Sequence, residues 1–352
     1  MKKKYQNAFF IFGLAVLAVM VAQLDFADTW AKIQDAGYWL VAVILLWFVL
    51  YFLNTGAWWV IIKNQKPSST VNKPFGFMWL YKITVSGFAL NYATPGGLMG
   101  GEPYRIMMLS PKIGTERATA SVLLYMMTHA FSHLWFWLLS SLLYVATKWQ
   151  LIDIPMALIV TAVTCFSSIA IWFFLKGYKH GIANSGMKLL GRIPLVKRWA
   201  RRFIDEHKEQ LDEIDQTMAT LHGQNPHAFI GAVLLELSCR IVSALEIFFI
   251  LQVTPDVHAT YLDSILILAF TSLFANLLFF MPLQLGGREG GFLMSAKGLQ
   301  LTGQAGIFVA LIVRLRELVW MAIGLLLIKF DRKEKQVVSA SNSTADAGEP
   351  QG

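Results

Sequence analysis

The stretch FGFMWLYKITVSGFALNYATPGGLMGGEPYRIMML, residues 75–109, decides the fold. Residues 75–94 are apolar enough for a helix in lipid. They run straight into Pro95, two Gly-Gly pairs, and then Glu102, Pro103 and Arg105. Irregular backbone leaves N–H and C=O groups without helical partners, and at membrane depth it survives only where protein or a wet cavity surrounds it. The stretch therefore reads as two half-helices joined by a break, a hairpin over 75–109 that enters and leaves the bilayer by the same side. A second stretch, YLDSILILAFTSLFANLLFFMPLQLGGREGG at 261–291, has the same build. It predicts a second re-entrant hairpin over 261–304.

Working outward, the remaining apolar runs lie at about 7–24, 37–62, 118–146, 154–175, 226–252 and 306–328. Each is close to the roughly 20 residues that a helix needs to cross a bilayer. The whole chain agrees: 56% of its 352 residues are hydrophobic, 15% are charged, and the mean hydropathy is +0.52. A soluble domain carries about 25% charged residues. This composition excludes a soluble enzyme, a disulfide scaffold, a collagen-like rod and a disordered chain. The fold class expected is an all-α integral membrane protein of six crossing helices plus two Gly/Pro-rich re-entrant hairpins.

The net charge of +8 would suggest nucleic acid in a soluble protein. Here it follows better from the excess of Lys and Arg in cytoplasmic loops. With a cytoplasmic N-terminus and both hairpins re-entrant, the inside segments collect Lys2, Lys3 and Lys4, then Lys63, Lys66 and Lys73, then Lys112 and Arg117, the basic stretch 176–208, and Lys329, Arg332, Lys333 and Lys335. These are most of the 30 basic residues. Letting 75–94 cross fully would turn 176–208 outward, against the rule. The expected location is the cell (inner) membrane, multi-pass, with both termini cytoplasmic. The run at 7–24 is expected to stay as a helix and not to be cleaved as a signal peptide.

The order span, span, hairpin, span occurs twice. Second spans begin at 37 and 226, the hairpin prolines are Pro95 and Pro282, and the following spans begin at 118 and 306. The separations agree to within about two residues, and in both hairpins a Glu (Glu102, Glu289) lies at the same distance beyond the Pro. Because three crossings separate them, the hairpins enter from opposite sides. The chain is thus expected to be an inverted repeat, an architecture of secondary transporters with a midplane site at broken helices. The first repeat is 1–146 and the second 154–330. An amphipathic cytoplasmic insert occupies 177–225, and 331–352 reads as a disordered tail. The insert fits two readings, an interfacial helix that holds anionic lipid and a plain cap on the bundle. Cys165 and Cys239, each in an apolar run, read as small core residues.

The chemistry is expected at charged residues that lipid alone cannot hold, since each costs roughly 2.5–3.5 kcal/mol at a helix centre on insertion scales. In the first hairpin Gly96, Gly97, Gly100 and Gly101 expose N–H groups near the start of a half-helix, a possible phosphate cradle. Arg105 is placed to clamp a phosphate. Glu102 has three candidate roles: holding Arg105, accepting an amine, or capping the half-helix. The second hairpin repeats the theme with Gly286, Gly287, Arg288 and Glu289. In the spans, Glu236 and Arg240 are four apart and Arg314 and Glu317 three apart, so each pair shares a helix face. Glu246 has no local partner. His129 and His133 also share a face, but HAFSH lacks the Glu of a zinc protease motif, so a packed, hydrogen-bonded pair is expected and no metal. There is no P-loop, no G-x-S-x-G and no Asp-rich metal site, and no cofactor is expected.

PGGLMGGEPYRIMML (95–109), with GGREGG at 286–291, resembles the lysylphosphatidylglycerol synthase transmembrane region family, also called flippase-like domain proteins, over about 5–330. It is similar to the membrane flippase part of the multiple peptide resistance factor, without that protein's synthase domain. The resemblance implies a lipid translocator and not an aminoacyl transferase, so no enzymatic activity is expected. The expected substrate is a membrane phospholipid or a polyprenyl-linked lipid. Its headgroup would contact Arg105, Arg240, Arg288 and Arg314, with Glu102 and Glu289 orienting the arginines or binding an amine. No nucleic-acid partner is expected, and the protein partners that fit are a second copy or a lipid-synthesis enzyme. Two other classes fit the inverted repeat and the membrane location: an ion-coupled small-solute transporter, and a non-transporting accessory subunit of a cell-envelope lipid enzyme.

Overall fold

The computed structural model describes residues 26–65, 72–93, 100–180, 226–254, 257–277 and 287–346. The run at 7–24, Pro95, Gly96, Gly97, Pro282, Gly286 and residues 181–225 of the insert lie outside the described residues. Among the described residues nine α-helices follow one another: α1 Phe26–Asn64, α2 Phe77–Ala93, α3 Gly101–Ile113, α4 Thr115–Lys148, α5 Ile154–His180, α6 Pro226–Leu251, α7 Tyr261–Leu277, α8 Gly287–Gly298 and α9 Gly303–Asp346. Among the described residues there is no strand.

Three of these helices carry a segment long and apolar enough to cross a membrane: Ala36–Asn64 in α1, Thr115–Leu151 through α4 and its short 3₁₀ extension, and Ile154–Lys176 in α5. α7 is a shorter apolar helix. α1 is bent at Gly37, whose φ of 48° a side chain would resist, so its straight membrane-length part begins where the apolar run begins. Helical backbone in α9 continues to Asp346, into the stretch expected as a tail. Nothing in the sequence stops it sooner, since no Gly or Pro intervenes between Gly324 and Gly348.

Each apolar stretch with a Pro/Gly cluster carries two helices, one on either side of residues that lie outside the described ones: α2 and α3, then α7 and α8. Within each pair the two helices pack on one another. α3 starts at Gly101 because Pro103 falls in its first turn, where a missing N–H costs nothing. It runs past 109 to Ile113, and Gly114 (φ 85°) turns the chain into α4.

The packing pairs off between the halves. α3 packs on α4 as α8 packs on α9, α2 on α9 as α7 on α4, and α1 lies against α6, its equivalent in the other half. The two largest apolar clusters lie one around each helix pair. Trp58, Leu80, Tyr104, Leu109 and Tyr125 centre the first, joined by Met321 from the second half. Leu266, Phe292, Val309 and Ile247 centre the second, joined by Val43 and Tyr144 from the first half. The outer surface is apolar as well, with Leu45, Phe48, Leu142, Leu158, Phe166, Trp172 and Ile230 exposed. A soluble monomer does not present a face of this kind; a bilayer covers it. Cys239 lies in the interior as expected, whereas Cys165 is exposed on this outer surface, because an apolar run in a membrane helix has a lipid side as well as a core side.

Candidate functional site

Polar groups inside this apolar frame converge on one cavity of about 470 Å³, within the usual range of ligand pockets. Five arginines (Arg105, Arg240, Arg288, Arg314, Arg316) and four glutamates (Glu102, Glu236, Glu246, Glu317) line it. They come from α3, α6, α8 and α9, so both halves of the chain contribute. Three sub-clusters make up the lining.

The first belongs to the α2–α3 hairpin. The Gly101 N–H donates to Asn91 Oδ1 at 2.7 Å, and Asn91 Nδ2 donates to Glu102 Oε1 at 2.9 Å. Arg105 Nη1 donates to the same oxygen at 3.4 Å. Glu102 therefore orients Arg105 and is itself held by Asn91; it makes no cap for α3. The Arg105 guanidinium is 4.7 Å from the ring centre of Phe88, 5.3 Å from Tyr125 and 5.8 Å from Trp58. The rings hold the cation in place electrostatically. Although Arg105 is only 1% exposed, its Nε and Nη2 have no hydrogen-bond partner among the described residues. A buried donor left unmatched costs about 1–3 kcal/mol, so this side chain is held ready for an acceptor. The cradle of free N–H groups expected here is reduced, because the Asn91 side chain already occupies the N–H of Gly101.

The second sub-cluster joins α6, α8 and α9. Arg288 pairs with Glu317 and Arg314 with Glu289. The in-helix pair expected between Arg314 and Glu317 is stretched to 4.0 Å; the nearer partners lie across the α8–α9 interface. Glu289 does not line the cavity but anchors Arg314, which does. Glu246 has a partner after all: Arg316 Nε and Nη2 donate to its two oxygens at 2.8 and 3.1 Å. Trp47 Nε1 donates to the same carboxylate at 2.9 Å, and the Arg316 guanidinium lies 3.7 Å from the Trp47 ring centre. Both members of the pair are almost wholly buried, Arg316 at 2% and Glu246 at 3% exposure.

The third sub-cluster lies between α4 and α6. Glu236 and Arg240 stay 3.8 Å apart. Arg240 Nε donates instead to Ser132 Oγ at 2.9 Å and its Nη2 to the His129 carbonyl at 3.0 Å. The close partner of Glu236 is His129, with Nδ1 at 2.7 Å from Oε2. The histidine pair thus has an acidic neighbour that its own helix did not reveal. His129 and His133 pack edge to face at 5.2 Å. Among the described residues no group of three or more His, Cys, Asp or Glu is arranged to hold a metal.

Of the residues singled out in the sequence, Glu102, Arg105, Glu236, Arg240, Arg288, Arg314 and Glu317 share this cavity. Gly100 and Gly101 form the start of α3 and Gly287 that of α8, while Gly96, Gly97 and Gly286 are outside the described residues. Sequence reasoning missed Arg316, Asn91, Tyr125 and the role of Trp47. A signal was present for Arg316: a lone Glu246 in a membrane helix demands a cation elsewhere, and Arg316 is an intramembrane arginine that the face shared by Arg314 and Glu317 leaves out.

No curated protein and no solved structure matches the chain. The sequence model described as "Lysylphosphatidylglycerol synthase TM region" matches residues 8–324, a span that takes in the helix pairs α2–α3 and α7–α8 and every residue of the cavity. The chain belongs to the lysylphosphatidylglycerol synthase TM region family.

Proposed function

We propose that the protein moves a lipid between the leaflets of a cell membrane and carries out no covalent chemistry. The headgroup passes through the arginine-rich cavity while the acyl chains stay in the bilayer and slide along the apolar outer surface. In this reading six helices cross the membrane. The units α2–α3 and α7–α8 are re-entrant from opposite faces, so that their breaks meet near the midplane, with both termini in the cytoplasm. The counterpart packing of the two halves supports the inverted repeat. The observation that carries the function is Arg105: a buried guanidinium whose Nε and Nη2 have no hydrogen-bond partner among the described residues, set in the wall of a cavity whose charged lining comes from both halves. A phosphate oxygen supplies the missing acceptors in charge-assisted hydrogen bonds. The substrate is a membrane phospholipid or a polyprenyl-linked lipid, and a lipid-synthesis enzyme is the protein partner that fits this role.

The test is reconstitution into liposomes that carry fluorescent lipids of several headgroups, with an impermeant quencher added outside. Wild-type vesicles are expected to lose nearly all fluorescence and empty vesicles about half. Arg105→Gln is expected to slow exchange about 30-fold or more, given 2–5 kcal/mol for truncating one partner of a buried charged hydrogen bond. Equal protection of dye in empty, wild-type and variant vesicles across the headgroup panel overturns the function.

A further inference from the structure

Lipid movement as described above uses the arginines but not the imidazole of His129. We propose that His129 and Glu236 form a proton site coupled to anionic cargo, so that one proton is taken up from solution as a phosphodiester headgroup enters the cavity. The inference rests on the reading of the cavity as a headgroup site.

Three observations carry it. First, the direct hydrogen bond to the Glu236 carboxylate comes from an imidazole at 2.7 Å and not from the arginine one turn away. Arg240 is drawn off to Ser132 and to the His129 carbonyl and stays 3.8 Å from the carboxylate. A guanidinium–carboxylate bridge does not change its protonation in the physiological range, but a group containing imidazole does. Second, Glu236 is 1% exposed on its side chain whereas His129 is 33% exposed, and both line the cavity. With Nδ1 engaged by Glu236, Nε2 is the nitrogen left to exchange a proton with the cavity. Third, the charges around the pair leave one place to fill. Arg240 stays 3.8 Å from the Glu236 carboxylate, and the imidazole bonded to that carboxylate is the group whose charge an incoming anion can change.

The other groups that face His129 fix the sign. On its own helix α4 are Tyr125 and His133, whose rings lie 6.3 and 5.2 Å from its own. Helix α6 brings Cys239 beside Glu236 and Arg240 and, paired with Arg316, Glu246; α3 brings Glu102 and Arg105, and Asn54 of α1 accepts from Tyr125. Phe88 and Tyr92 face the cavity from α2. Across the cavity stand Arg288 of α8 and the Arg314, Arg316 and Glu317 group of α9, while α7 contributes only neutral Thr271, Ser272 and Asn276 to its polar lining. Arg105 and Arg240, the cations nearest the imidazole, oppose a further positive charge while the cavity is empty. A monoanionic phosphodiester beside them cancels that opposition and makes protonation of His129 favourable. By linkage, protonation raises the affinity for the anion by the same factor. The phosphodiester itself keeps its charge throughout. Proton and anion together are neutral, so movement of the pair responds to a pH gradient and not to membrane potential.

The experiment is titration calorimetry of the full chain in detergent, with dihexanoylphosphatidylglycerol as the lipid probe and dimethyl phosphate as the free phosphodiester. Neither titrates near pH 7. Runs at pH 7.5 in buffers of different ionisation enthalpy report the protons taken up per ligand bound. Wild type is expected to take up close to one, and His129→Gln and Glu236→Gln close to none. His258→Gln, at a histidine that does not line the cavity, is expected to behave as wild type. Affinity for the lipid probe is expected to rise roughly 20-fold from pH 8 to pH 6 in wild type and to stay flat in His129→Gln. Should His129→Gln not fold, Glu236→Gln and the wild-type pH series decide. Binding of the lipid probe without proton uptake overturns the coupling and leaves lipid movement standing. No binding of either probe overturns both. Uptake with dimethyl phosphate but not with the lipid probe supports the proton site and counts against a lipid as cargo.

Discussion

Replacing Arg316 by Leu is expected to cost 3–5 kcal/mol of stability, the penalty typical of stranding one member of a buried ion pair. Glu246 is 3% exposed, and both its oxygens accept from Arg316, at 2.8 and 3.1 Å. Without the guanidinium its one remaining hydrogen bond comes from Trp47 Nε1, at 2.9 Å, and an indole brings no charge to balance the carboxylate. The double variant Glu246→Leu with Arg316→Leu removes the stranded charge and is expected to recover most of the loss, because apolar replacements of a buried pair are often neutral or stabilising. Thermal unfolding in detergent, monitored by tryptophan fluorescence, reads both. The pair also separates structure from function. If Arg316 serves the cavity as well as the fold, the rescued double variant unfolds near the wild-type temperature yet moves lipid poorly. A double variant as unstable as the single one would sink the ion-pair argument.

How far the sequence shows these features depends on which interactions are local. The helix pairs α2–α3 and α7–α8 are legible as separate helices because Pro and Gly stand between them in the sequence, and their effect on backbone needs no tertiary contact. Glu102 and Arg105 are legible as a pair because three residues along one helix place them on one face. The same rule misleads for Arg314, whose close partner Glu289 lies on α8 and not one turn along α9. It is equally silent on His129–Glu236 and Glu246–Arg316, in which the partners come from different helices. A bilayer makes such pairs obligatory without saying which charges meet. What could be read was the number of charges needing a partner; the matching was set by how α4, α6, α8 and α9 pack.

Gly101→Ala is expected to disable the protein, whereas Gly290→Ala, in the corresponding motif of the other half, is expected to leave lipid movement intact and to stabilise the fold slightly. A Cβ on Gly101 would run into the carbonyl of Gly87 and lie 2.7 Å from Asn91 Oδ1. Backbone on α2 cannot move aside as a flexible side chain can. The two helices must separate, the N–H of Gly101 leaves Asn91, and Asn91 then loses its hold on Glu102. Overpacking of this kind costs typically 1–3 kcal/mol, and here the upper end, about 3 kcal/mol, is expected. The functional loss is larger than the stability loss, because Arg105 lies one turn along the same helix and follows it. Gly290 has nothing within 4 Å of its Cβ position and lies inside α8. Alanine there restricts the unfolded chain and favours helix, a gain of about 0.4–1 kcal/mol. The two variants are compared by unfolding temperature and by lipid exchange in vesicles. Equal behaviour, in either direction, would mean that α2 and α3 do not meet at Gly87 and Gly101, and the placement of Arg105 beneath Phe88 would lose its support.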